Sequence, residues 1–290
     1  MMTIPAVELN NGTTIPQLGF GTLAVQANRE ENPLNTNAAA AIVAQALEVG
    51  FRHIDTAQAY GSEPGVGKAV AESGLNRDEV YLTSKLSNGN HKPPDVRRSL
   101  EKTLANLGIE QIDLFLIHWP LPTVAELDYV DTWREVTGMM KEGKVRTAGV
   151  SNFEPAHIER LIAETGVVPA VNQIELHPYF TNDAVHETCK RYGIAVEAHS
   201  PLGHRGAPLQ DQTIRQIAET HGKSPAQIIL RWHMQCGIIA IPKSANIDRM
   251  RQNLAIFDFE LSHEEVAAIS ALDKGEAGRV GPNPNVYEGV

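Results

Sequence analysis

Cysteine is almost absent from the sequence: only Cys189 and Cys236 occur, with no metal-like spacing around them. That argues against a disulfide framework, and a reduced, cytoplasmic protein with no metal site is expected. Positive charge is also short. A formal net charge of −10, with no dense Lys/Arg cluster, argues against a nucleic-acid surface. The opening MMTIPAVELNNG has neither a basic segment nor an apolar core, so no secretory signal is expected. No apolar run approaches the ~20 residues that a membrane helix requires. What is present is 290 residues, 42% of them hydrophobic, enough to bury a sizeable core.

The chain is punctuated regularly. Val7–Leu9, the pair Asn11–Gly12 and Thr13–Ile15 predict a hairpin, with positive φ at the Asn-Gly turn. From Gln17 onward, eight short apolar segments alternate with helical patterns. The helices are expected at Ala38–Val49, Glu63–Ser73, Pro93–Leu107, Tyr129–Glu142, Pro155–Glu164, Asp183–Tyr192, Thr213–His221, Pro225–Met234 and Ile247–Leu254. Ser262–Leu272 is one helix more, with Ser262 and Glu265 spaced as a capping box. Ile112–Ile117 is apolar but for Asp113, as expected of a strand buried on both faces. No linker divides the chain. One (β/α)8 barrel over residues 1–290, with an N-terminal hairpin and a C-terminal helix and tail, is the economical reading. A doubly wound sheet is the alternative. Its dinucleotide fingerprint is matched only formally by GFGTLA at Gly19, because no helix follows directly.

Three segments end on ionisable side chains: Asp55 with Tyr60 just beyond it, Lys85, and His118. In a barrel of parallel strands those ends share one face, where active sites lie. A phenol with a pKa near ~10 is a poor acid at neutral pH. A nearby ammonium stabilises the phenolate, and a carboxylate holds the ammonium. Tyr60, Lys85 and Asp55 are those residue types, and His118 could orient a carbonyl.

The stretches HIDTAQAYG, TSKL, IHWP, GVSNF, VNQIELHP, SPLG and IPKSAN, followed by Arg249, Gln252–Asn253 and FDF, resemble those of the aldo-keto reductase superfamily. The likeness is nearest to its bacterial 2,5-diketogluconic acid reductase-like members and runs to about Arg279. It implies an NADPH-dependent reductase of aldehydes, ketones or keto-sugars, with Asp55, Tyr60, Lys85 and His118 as catalytic set and Tyr60 as proton donor. It further implies that Ser151, Asn152 and Gln173 bind the nicotinamide carboxamide of NADPH or NADP⁺. Ser200 and Leu202 would lie along the pyrophosphate. Lys243, Ser244, Asn246 and Arg249 would hold the 2′-phosphate, and Gln252 and Asn253 would contact adenine. The partner expected is a small carbonyl compound, with no nucleic acid and no membrane, and a monomer is expected. Two other readings remain open: an NADP(H)-binding regulatory subunit on the same barrel, and an aldolase with Lys85 as Schiff-base lysine. The second leaves SNF and IPKSAN unexplained.

Three positions depart from the family pattern. His199 stands where a Tyr or Trp usually stacks under the nicotinamide. Leu23 replaces a larger aromatic, and Ser87 a Trp that commonly lines the substrate pocket. Trp119 and Tyr60 are then the clear aromatic walls, and a wide pocket is expected unless the tail fills it. An ordinary imidazole titrates near ~6.5, so NADP⁺ binding should weaken relative to NADPH as pH falls through that value. Asn88–Pro94 and Arg279–Val290 are candidate specificity segments; His91, His204 and Arg205 could meet an acidic substrate but read rather as surface residues.

Overall fold

The computed structural model describes residues 4–25, 32–121 and 127–288, apart from the side chains of residues 33, 34, 204 and 205. The readings placed on His204 and Arg205 therefore lie outside the described residues. Strands β1 (Ala6–Glu8) and β2 (Thr14–Pro16) form the hairpin. Its turn differs from the expectation. Leu9 N donates to Thr13 O, which leaves a three-residue loop in which Gly12 alone takes positive φ, at 78°.

Eight parallel strands then follow in sequence order around one curled sheet: β3 (Phe20–Gly21), β4 (His53–Asp55), β5 (Tyr81–Leu86), β6 (Ile112–Ile117), β7 (Val145–Ser151), β8 (Val171–Glu175), β9 (Ala195–His199) and β10 (Ile239–Ala240). A parallel bridge between Leu18 and Ala240 closes the sheet on itself. Ala240 N donates to Gln17 O and Gly19 N to Ala240 O, at 3.0 and 2.9 Å, so neither edge is left unpaired.

Helices α1 (Pro33–Val49), α2 (Glu63–Glu72), α3 (Pro93–Leu107), α4 (Tyr129–Lys141), α5 (Pro155–Thr165), α6 (Asp183–Tyr192), α7 (Gln212–His221), α8 (Pro225–Gln235) and α9 (Ile247–Leu254) surround the sheet, and α10 (His263–Ser270) is added at the end. Helix α1 starts five residues before the expected Ala38. Pro33 is the reason, since proline at a first helical position loses no hydrogen bond and has its φ preset. Ser224 with Gln227 and Ser262 with Glu265 both form reciprocal capping boxes.

Strand β6 is buried on both faces, with Asp113 its one polar residue. Leu114 and Leu116 point into the barrel with Tyr81, Val171 and Ile239, where Leu9 and Ile15 of the hairpin plug the floor. Phe115 and Ile117 point outward into the larger core beneath the helices, and Ile112 at the start of the strand packs with that core too. Each such side chain is fully buried and contributes about 1.5–3 kcal/mol.

Candidate active site

The upper ends of β4 to β9 carry the polar side chains. Lys85 of β5 is fully buried, and its Nζ donates to both Asp55 oxygens at 2.6 and 2.8 Å and to Thr56 O at 2.9 Å. Three acceptors satisfy its three protons. Burial disfavours this ammonium, yet the Asp55 carboxylate and the Tyr60 phenol hold its pKa above the usual lysine value. Burial pushes the Asp55 carboxyl up, against the pull of Lys85 and of Gln173.

Tyr60 ends a short 3₁₀ turn, Gln58–Tyr60, that Gly61 closes at φ 68°. The turn brings the phenol ring over Lys85, 5.0 Å from Nζ to the centroid. His118, just beyond β6, meets the Tyr60 ring edge-on at 5.8 Å between centroids. Asp55, Tyr60, Lys85 and His118 thus share one end of the barrel.

Side chains expected to hold the nicotinamide are also there, already engaged with the protein. Gln173 Nε2 donates to Asp55 Oδ2 at 2.8 Å, and Ser151 Oγ donates to Gln173 O at 2.9 Å. Asn152, at φ 62°, donates to His118 O at 3.0 Å. Its Oδ1 lies 3.0 Å from Nε2 of the partly buried His199. With the Asn152 amide nitrogen spent on His118 O, that contact assigns the proton to Nε2 of His199. Burial, opposed by Glu175, pushes this imidazole down to about 4. The expected pH effect on NADP⁺ against NADPH binding therefore moves out of the neutral range.

Lys243 and Arg249 are exposed, and among the described residues neither is ion-paired. They flank the start of α9, where Asn246 Oδ1 accepts from Arg249 N and buried Ser244 bonds both ways with Asn246. Two uncommitted cations beside a capped helix N-terminus fit a phosphate. Asn253 is buried, Gln252 and Ser200 are exposed, and Leu202 is half-buried.

Several features were missed from the sequence. Tyr287 in the tail packs on Trp119, centroids 4.5 Å apart, so a third ring joins Tyr60 and Trp119. Asn88 Nδ2 donates to Leu121 O and Glu288 O, tying the 3₁₀ turn Asn88–Asn90 to the tail. Glu175 accepts from Val280 N and Gly281 N at 2.8 and 2.7 Å. It lies two residues beyond Gln173, on the same strand face, which was the available signal. Leu23 is exposed and Ser87 half-buried. His91 is corrected: it is 1% exposed against Thr132 of α4, so it neither faces solvent nor meets a substrate.

The family model for the Aldo/keto reductase family matches residues 17–274. An aldo-keto reductase of Mycobacterium sp. (strain JLS) is 46% identical over 286 residues, covering 99% of each chain. Methylglyoxal reductase DkgA of Salmonella typhimurium is 42% identical, covering 98% of each. The crystal structure of a Bombyx mori aldo-keto reductase in complex with NADP superposes with a TM-score of 0.86 at 38% identity, covering 94% of each chain. With barrel and site geometry in place and a match over most of its length, the chain belongs to the aldo/keto reductase family.

Proposed function

We propose that this enzyme reduces a small aldehyde, ketone or keto-sugar to its alcohol with NADPH, Tyr60 acting as the acid. NADPH supplies, when bound, the hydride that goes to the carbonyl carbon. The Tyr60 hydroxyl gives its proton to the carbonyl oxygen, and the Lys85 ammonium stabilises the phenolate left behind. Asp55 holds Lys85 in place, and His118 positions the carbonyl beside Tyr60. Asn152, Gln173 and Ser151 are the donors and acceptors suited to a carboxamide. Lys243, Ser244 and Arg249 suit the 2′-phosphate that distinguishes NADPH from NADH.

The observation that carries the reading is the buried Asp55–Lys85 pair set directly beneath the Tyr60 ring. A lone buried ion pair is weak support for stability, so a phenol placed over its ammonium points to a chemical use. Methylglyoxal, named in the Salmonella relative, is the first substrate to try, followed by diketones and keto-sugars. Tyr60→Phe should lower kcat by at least 10²-fold, the low end for general acid catalysis, while NADPH binding followed by fluorescence stays near wild type. Turnover within a few-fold of wild type would remove Tyr60 from the role.

A further inference from the structure

A second carboxyl group lies in the barrel interior, and the mechanism above does not use it. Glu197 is on β9, two residues before His199 and on the same inward face, and it is fully buried. Its register partners are Gln173 of β8 and Ile239 of β10. Among the described residues no donor is placed in good hydrogen-bond geometry to either of its oxygens. The nearest basic group is Nε2 of His53 on β4, 3.6 Å from Oε1, and that nitrogen is 3.0 Å from Thr83 Oγ1. Burial pushes His53 down to about 3, so it is neutral at working pH and no counter-ion for Glu197. The Gln173 amide donates to Asp55, and its pull on Glu197 is weaker than the effect of burial.

An ionised carboxylate without a donor would be costly in such a place; a neutral carboxylic acid is tolerated. Burial, with the Asp55 charge adding to it, pushes Glu197 up to about 8. The titratable groups that face it are His53 and Asp55 of β4 and Lys85 and Tyr81 of β5, while β10 contributes only apolar residues. With Glu197 protonated, the interior holds one anion, Asp55, and one cation, Lys85. Loss of the Glu197 proton would leave two anions around Lys85.

We propose that Glu197 is a positioning residue of the reduction, a buried carboxylic acid whose neutrality leaves the Lys85 charge to Tyr60 and whose ionisation weakens Tyr60 as an acid. This rests on the reading of Tyr60 as proton donor. The added negative charge disfavours the phenolate, so in alkaline solution Tyr60 gives up its proton less readily. Reduction then falls, and the reverse reaction, in which the phenolate takes the alcohol proton, begins at higher pH.

Two measurements test this. Difference infrared spectra of the full-length protein across a pH titration should show a carboxylic-acid carbonyl band at neutral pH that fades in mildly alkaline solution. The band should be missing from Glu197→Gln. This reading does not depend on catalysis, so it separates failure of the proposal from failure of the Tyr60 assignment. The pH profile of alcohol oxidation should have its Tyr60 limb displaced to lower pH in Glu197→Gln, by roughly 0.5–1 unit. Glu197→Met, of similar volume, is read in the same way should the Gln variant not fold. Absence of the band from the wild-type protein, or superimposable profiles in wild type and variants, would overturn the proposal.

Discussion

At the scale of single residues, the site is a problem of placing charge where water is excluded. Lys85 and Asp55 are each tolerable only because the other is present. Asp55→Leu strands a buried ammonium and should destabilise the protein by about 3–5 kcal/mol in denaturant titrations. The double variant Asp55→Leu/Lys85→Met should regain most of that stability and none of the activity. Equal stability of the single and double variants would show that the pair is not coupled. Arg249 presents the opposite case, an exposed cation with no partner among the described residues. Losing a charge-assisted hydrogen bond costs roughly 1.5–3 kcal/mol. Arg249→Ala should therefore weaken NADPH binding by about tenfold or more and leave NADH binding nearly unchanged. Equal losses for both cofactors would remove Arg249 from the 2′-phosphate.

Among the elements, the C-terminal tail is the one whose position the site depends on. Its anchors are Arg279, ion-paired with Glu154 and Glu276, and the two amides held by Glu175. At Gly281 a Cβ would lie 2.7 Å from Glu175 Oε2, so a larger residue there would make the carboxylate shift within the clamp. Two backbone donors and His177 hold the Glu175 carboxyl down to about 2, against burial. A depressed carboxyl stabilises above its unfolded pKa and stops only as pH falls through the folded value, so the clamp persists throughout any ordinary assay. Beyond it, Tyr287 rests on Trp119. Glu175→Ala should speed hydrogen exchange of the Val280 and Gly281 amides by about tenfold or more. It should also raise KM more than it lowers kcat. Unchanged exchange at those two amides would show that Glu175 does not hold the tail. Helix ends were legible at this scale because capping is local: Ser262 and Glu265 meet three residues apart wherever the helix lies. The tail was not legible, since its contacts span more than a hundred residues of chain.

Over the whole molecule, buried titratable groups shape the response to pH. Burial pushes His53 down to about 3, and His91 and His233 down to about 4, and His199 is lowered similarly. A depressed histidine binds its proton more readily when unfolded, so stability is full above about 6.5 and is lost as pH falls toward the folded values. Glu197 acts in the other sense. Its raised pKa gives stability that is complete below the ordinary glutamate value and lost as pH rises through about 8. The melting temperature should therefore be highest near pH ~6.5, fall steeply on the acid side and decline gently on the alkaline side. Glu197→Gln should flatten the alkaline decline alone. A melting temperature that is constant from mildly acidic to neutral pH would contradict the histidine assignment.

By itself, the sequence determined the order and number of barrel strands, the helix faces and the four polar residues at three strand ends. Those are written in periodicity, caps and short motifs, all of which act over a few residues. It also left the family recognisable from contiguous stretches such as HIDTAQAYG and VNQIELHP. Only the tertiary structure decided what those residues do to one another. Gln173 and Asp55 are 118 positions apart, yet one amide and one carboxylate share a hydrogen bond inside the barrel. His91 looked like a surface residue until α4 covered it, and the closed sheet leaves Glu197 fully buried. Burial is a property of the closed barrel rather than of any segment, and burial together with the charges it brings close sets the protonation of the groups inside.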